Sequence, residues 1–221
     1  MDKLLKPALA ELVGTFLLTF IGAGAGALAA KNGGGIVAVA LAHGVALMVI
    51  VYAFGSISGA HVNPAVTSSL AFTGKIGWDT AIAYWVAQFL GAAVAAYLLA
   101  YVVGPSGDVG GLGATVGPLT STDAVKTIVV EAVLTFFLVT AVFASGVANK
   151  NGNMAGVAIG LVLTMDILMG GALTGASMNP ARTFGPALAT GHLEYLWLYI
   201  VGPVVGGAPA AFLYDRVFLK D

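Results

Sequence analysis

Six stretches of this chain are long and apolar enough to cross a bilayer, near 8–30, 36–55, 80–103, 124–147, 154–173 and 195–217. A hydrocarbon core about 30 Å thick takes about 20 apolar residues to cross as a helix. Within it every backbone N–H and C=O must be satisfied by the protein, so only helices or a closed barrel survive. Runs of this length read as helices, and the expected fold class is an all-α membrane protein. Composition points the same way. Only 9% of residues are charged and 59% are hydrophobic, whereas soluble domains carry about 25% charged residues. A mean hydropathy of +0.97 leaves membrane lipid as the natural surrounding.

The same composition narrows the function. A net charge of −1 supplies no basic field, so no nucleic-acid partner is expected. The absence of cysteine removes disulfides, thiolate metal sites and a cysteine nucleophile. No metal-ligand cluster, nucleophile–base spacing or phosphate loop stands out, so neither an enzyme nor a cofactor is expected. Basic residues set the orientation. With the N-terminus inside, Lys3, Lys6, Lys75, Lys150, Arg216 and Lys220 fall on the cytoplasmic side, and only Lys31 and Lys126 near outer ends. Both termini are expected to be cytoplasmic.

The chain repeats itself. Glu11 and Thr15 open the first span as Glu131 and Thr135 lie near the start of the fourth. His61-Val62-Asn63-Pro64-Ala65 pairs with Ser177-Met178-Asn179-Pro180-Ala181, and Gln88 to Gly91 with Pro203 to Gly206. The offsets lie between 115 and 120 residues. Three crossings per half, an odd number, force the second half to insert upside down, which makes an inverted-topology repeat. The expected organisation is a single transmembrane channel domain over 1–221, with repeats at about 1–103 and 122–221 and a linker at about 104–121.

After each Asn-Pro-Ala comes an apolar run too short to span, roughly 63–73 before Gly74 and 179–190 before Gly191. At about 1.5 Å per residue each reaches only half of the core. Asn is a favoured N-cap, Pro suits the first helical position, and Gly ends a helix. Both runs read as re-entrant half-helices whose N-termini meet in mid-membrane. The approaches to them, Gly55 to Ala60 and Gly170 to Ala176, read as non-helical backbone, which at that depth must be buried by protein or line a wet cavity. Glu11 and Glu131 could accept hydrogen bonds from the loop N–H groups and brace them; the plainer alternative places each at a helix entrance.

Asn63 and Asn179 carry the functional reading. As caps, their side-chain oxygens accept from their own first turns and leave the amide NH2 groups for a passing molecule. Half-helix dipoles equivalent to about +0.5 charge back each one. Water passing there must offer its oxygen to both, so it cannot relay a proton, and cations meet a positive barrier.

Paired Asn-Pro-Ala motifs, the second continuing Arg182-Thr183-Phe184-Gly185-Pro186, together with Glu-x-x-x-Thr in both halves, resemble the aquaporin (major intrinsic protein) family over essentially the whole chain. The resemblance implies a right-handed bundle of six transmembrane helices plus two half-helices, assembled as a homotetramer with one pore per subunit. It also implies an outer selectivity filter. Carried over by spacing from the Asn residues, its four positions are His43, Ile167, Ala176 and Arg182. Water channels of the family usually have Phe and His at the first two. The combination here resembles plant tonoplast intrinsic proteins, and Ile at the second position is also similar to archaeal aquaporins. An Arg in hydrocarbon is costly, so Arg182 should face the pore. His43 matches a filter position but could instead be a satisfied core residue. His61, two residues before Asn63, reads as pore-lining or as packing.

Asp166 is the misfit. It could hydrogen-bond a neighbouring helix or loop, or it could be a titratable coupling group. The expected function is therefore a passive channel for water and small neutral solutes such as ammonia, hydrogen peroxide, urea or slowly passing glycerol, excluding protons and ions. The alternative is a proton- or ion-coupled small-solute transporter using Asp166. Within the channel class, Thr183 and His43 argue against polyol specialisation, while Ile200, where water-selective members usually have Trp, leaves slow glycerol passage open.

Overall fold

The computed structural model describes residues 3–104 and 111–219, without the side chains of 30–32. Linker positions 105–110, Lys220 and the side chain of Lys31 thus lie outside the described residues. Six helical segments of 21 to 26 residues are long and apolar enough to cross a membrane. They are built on α1 (Leu5–Asn32), α2 (Gly35–Ser58), α4 (Trp78–Val103), α6 (Ala124–Val142), α7 (Ala155–Thr174) and α9 (Leu198–Leu213), some taking in the turns that flank the helix. Wider π-turns over Phe143–Val147 and Tyr214–Phe218 prolong α6 and α9. The two half-helices are α3 (Pro64–Phe72) and α8 (Pro180–Thr190), and a single short turn, α5 (Pro118–Thr122), precedes α6.

Two expected boundaries are corrected. Gly55 and the Gly170–Gly171 pair do not break their helices: α2 runs on to Ser58 and α7 to Thr174. The breaks come at Gly59 and Gly175, both with φ of 87°. The Gly170–Gly171 pair serves contact instead. A Cβ on Gly170 would lie 2.5 Å from a Leu134 methyl, and one on Gly171 would lie 2.4 Å from a methyl of Ile36.

The packing obeys the repeat. α1 lies on α2 and α4 as α6 lies on α7 and α9, α2 crosses α7, and α3 and α8 pack on α9 and α4. At the α2–α7 crossing, a Cβ on Gly44 would stand 2.5 Å from the Gly160 carbonyl, and one on Gly160 would stand 2.5 Å from the Gly44 carbonyl. Close backbone approach through small residues is how helices associate in lipid. Ile82, Val86, Leu90 and Val94, one turn apart on α4, are all exposed. Such a stripe suits lipid contact and would aggregate in water.

Charges gather at the ends. Lys75 pairs with Asp215 at 2.6 Å, Arg216 with Asp215 at 3.3 Å, and the Lys150 ammonium sits 5.9 Å above the Tyr214 ring. Lys75, Lys150 and Arg216 are therefore neighbours at one end. Lys126 pairs with Asp123 at 3.0 Å where α6 begins, half a turn of chain from α5 and at the opposite end of that helix from the π-turn.

Candidate functional site

Asn63 and Asn179 are both extended and both cap a half-helix. Asn63 Oδ1 accepts from the Ala65 N–H at 2.8 Å, and Asn179 Oδ1 from the N–H groups of Ala181 at 3.0 Å and Arg182 at 3.2 Å. Pro64 and Pro180 occupy the first helical positions, where a missing N–H costs nothing. Each amide then reaches across the symmetry axis. Asn63 Nδ2 donates to the Met178 carbonyl and Asn179 Nδ2 to the Val62 carbonyl, both at 2.8 Å. One N–H of each amide thus ties the two loops together. The second has no protein partner among the described residues, and both side chains border the same cavity.

The loops hold a conformation that the sequence conceals. Ala60 and Val62 in the first, and Ala176 and Met178 in the second, have φ between 43° and 54°. Left-handed backbone at a residue other than Gly costs about 1–2 kcal/mol, and only firm anchoring sustains it. Buried carboxylates provide that anchoring. Glu11 accepts from His61 N at 2.9 Å, Val62 N at 2.6 Å, Ser58 Oγ at 2.6 Å and Gln88 Nε2 at 2.7 Å. Glu131 accepts from Ser177 N at 3.0 Å, Met178 N at 2.7 Å and Thr174 Oγ1 at 2.7 Å. The repeat is broken at one bond: where Gln88 supplies a fourth donor, the second half has Pro203.

Sequence reasoning missed a second pair of braces. Tyr84 donates to the Ser58 carbonyl at 2.9 Å, and Tyr199 donates to the Thr174 carbonyl. Their signal was available, since Tyr84 and Tyr199 stand at the repeat offset. His61 is buried in the cavity wall, with Nδ1 3.1 Å from Thr67 Oγ1 and its ring edge-on to Tyr84.

Arg182 and His43 meet directly. Arg182 Nε donates to His43 Nε2 at 3.1 Å, and Nη1 donates to the Gly113 carbonyl at 2.7 Å. Gly113 was not foreseen; it belongs to the turn Gly111–Gly113 in the Gly-rich linker. A cavity of about 690 Å3 extends past Tyr52, His61, Asn63 and Asn179 to His43 and Arg182. Ile167 and Ala176 are not on its wall; both are buried in the surrounding apolar core.

Asp166 requires a correction. The hydrogen bond to a helix or loop that the sequence allowed is not formed among the described residues: Asp166 is 1% exposed, and neither carboxyl oxygen has a partner there. Its neighbours explain why. It lies one turn before Gly170, on the side of α7 that meets Leu134, and no donor is supplied there. It does not line the cavity either. Among the described residues no group of three or more His, Asp or Glu is placed to hold a metal ion.

Six membrane-crossing helices enclosing two opposed half-helices beside a shared cavity define an integral, multi-pass membrane channel. The chain matches the family described as major intrinsic protein over residues 1–214. It is 43% identical over 226 residues to Aquaporin TIP2-3 of Arabidopsis thaliana, covering 97% of this chain and 88% of the relative. Aquaporin TIP1-2 of Zea mays is likewise 43% identical over 227 residues, covering 97% and 86%. The fold is shared with the X-ray structure of the aquaglyceroporin from Plasmodium falciparum, with a TM-score of 0.85 at 24% identity over 97% of this chain and 96% of that one. This protein belongs to the major intrinsic protein family, the aquaporins, and is a channel rather than an enzyme.

Proposed function

We propose that this protein is a passive water channel in which Asn63 and Asn179 hold passing water by its oxygen, and in which His43 and Arg182 set an outer constriction that Ile167 and Ala176 back from the apolar core. The observation that carries this reading is the shared cavity beside both Asn side chains, each with one amide N–H committed to the opposite loop and one left for water. Two half-helix N-termini converge there and disfavour cations. Glu11 and Glu131 brace the loops, and His61 lines the wall. Small neutral solutes such as ammonia, hydrogen peroxide and urea pass as well, and glycerol slowly. The chain acts as one channel domain of two inverted repeats, in a homotetramer, with both termini cytoplasmic. The clustering of Lys75, Lys150 and Arg216 at one end supports that orientation.

Reconstituted vesicles test this. They should shrink faster than empty vesicles in an osmotic step, and isotonic solute gradients should give slower uptake that follows solute size. Shrinkage no faster than that of empty vesicles would end the proposal. The coupled-transporter alternative requires Asp166 to meet the solute or ion, and its position off the cavity wall argues against that. Solute accumulation driven by a proton gradient would revive it.

A further inference from the structure

Arg182 Nε carries a hydrogen at all working pH and can only donate, so His43 Nε2, 3.1 Å away, must be the acceptor. The Val39 carbonyl, 2.8 Å from Nδ1, can only accept, so Nδ1 carries the ring proton. The two bonds select one neutral tautomer, and together they use both ring nitrogens. A third contact seats the ring. A Cβ built on Gly22 of α1 would lie 2.3 Å from His43 Cδ2, 2.4 Å from Nε2 and 2.7 Å from Cγ. The imidazole occupies the space that any other residue at position 22 would fill.

We propose that Gly22 and His43 are positioning residues for Arg182: the bare backbone at Gly22 seats the imidazole, and the imidazole holds the guanidinium by Nε, so that the histidine offers a passing solute carbon rather than a hydrogen bond. This rests on the channel reading given above. Its consequence is that Arg182, not His43, supplies the free side-chain donor of the pair. Arg182 Nη2 has no protein partner among the described residues and remains for the solute, whereas both ring nitrogens of His43 are taken. The filter thus accepts small neutral solutes that need one hydrogen-bonded face, and it discriminates by size only while Arg182 stays fixed.

The test uses the full chain in vesicles, reading osmotic water permeability and urea permeability together. His43→Leu removes the acceptor at similar bulk, whereas His43→Gln keeps one. Releasing Arg182 should raise the urea-to-water ratio roughly tenfold in His43→Leu, the scale of one hydrogen bond to a charged group; His43→Gln, which keeps an acceptor, should raise it clearly less. Gly22→Ala should lower water permeability in the wild-type background and change nothing in a His43→Ala background, where the ring it would strike is gone. Equal ratios in His43→Leu and His43→Gln, or the same Gly22→Ala effect in both backgrounds, would overturn the proposal.

Nitrogen-15 spectra of the wild-type protein supply a check that does not depend on transport or on variants folding. Arg182 and Arg216 are the two arginines of the chain, so the Arg182 Nε signal can be assigned by eliminating one residue. The expected result is an Nδ1-protonated, neutral His43 and an ordered Arg182 Nε; an Nε2-protonated tautomer refutes the geometry. If wild-type vesicles conduct no water yet the spectra agree, the channel reading fails while the positioning contact stands.

Discussion

Replacing Glu131 by Gln changes one atom and should unfasten the loop that carries Asn179. The carboxylate accepts two backbone N–H groups, Ser177 at 3.0 Å and Met178 at 2.7 Å, one on each oxygen, and the Thr174 hydroxyl at 2.7 Å. An amide has one oxygen, so in either orientation one backbone N–H faces an NH2 group. An unsatisfied buried donor costs about 1–3 kcal/mol, and the surviving bonds lose their charge assistance, about 1 kcal/mol more. Relief of the buried charge offsets part of this, leaving about 2 kcal/mol against the loop. Ala176 and Met178, at φ of 45° and 54°, would be free to relax. Hydrogen exchange read by mass spectrometry over 175–179 should then show protection reduced about 30-fold, with water permeability reduced in parallel. Glu11→Gln should loosen the first loop in the same way, because the His61 and Val62 N–H groups also fall one on each carboxylate oxygen. Unchanged protection over 175–179 in Glu131→Gln would refute the bracing argument.

Removing the guanidinium with Arg182→Ala should raise urea and glycerol permeability several-fold while water permeability holds or rises; unaltered solute rates in isotonic gradients would displace Arg182 from the constriction. With no cysteine in the chain, mercurials should leave water flux intact, and thiol-reversible inhibition in stopped-flow traces would contradict this. Gly206→Leu should abolish folded protein, since even a Cβ there would stand 1.9 Å from the Ala132 carbonyl oxygen and backbone cannot yield cheaply. A monodisperse, water-conducting Gly206→Leu protein in size-exclusion and flux assays would show that α6 and α9 can separate.

The spans and half-helices were legible because each obeys a local rule. Apolar length marks a crossing, and Asn followed by Pro marks a helix start at Pro64 and Pro180 wherever it lies in the membrane. Where a residue serves two rules, sequence reading falters. Gly55 and Gly170 look like breakers by propensity, yet Gly170 is small because Leu134 crosses it, and only the fold reveals Leu134. Left-handed backbone at Val62 and Met178 was illegible for a related reason: neither type favours it, and the anchoring carboxylates lie 51 and 47 residues away in the chain. The contact between His43 and Arg182 spans 139 residues and depends on the empty space above Gly22. Asp166 was visible as an anomaly, but whether any donor met it was a question of tertiary contacts.

In the proposed channel, paired amide donors let water through while breaking its proton relay. Vesicles holding the wild-type channel, loaded with a pH-sensitive dye, report water flux and proton flux in the same preparation. Rapid osmotic shrinkage is expected, with an internal pH that follows an imposed proton gradient no faster than in empty vesicles. Proton entry that rises with channel density alongside the water flux would contradict it.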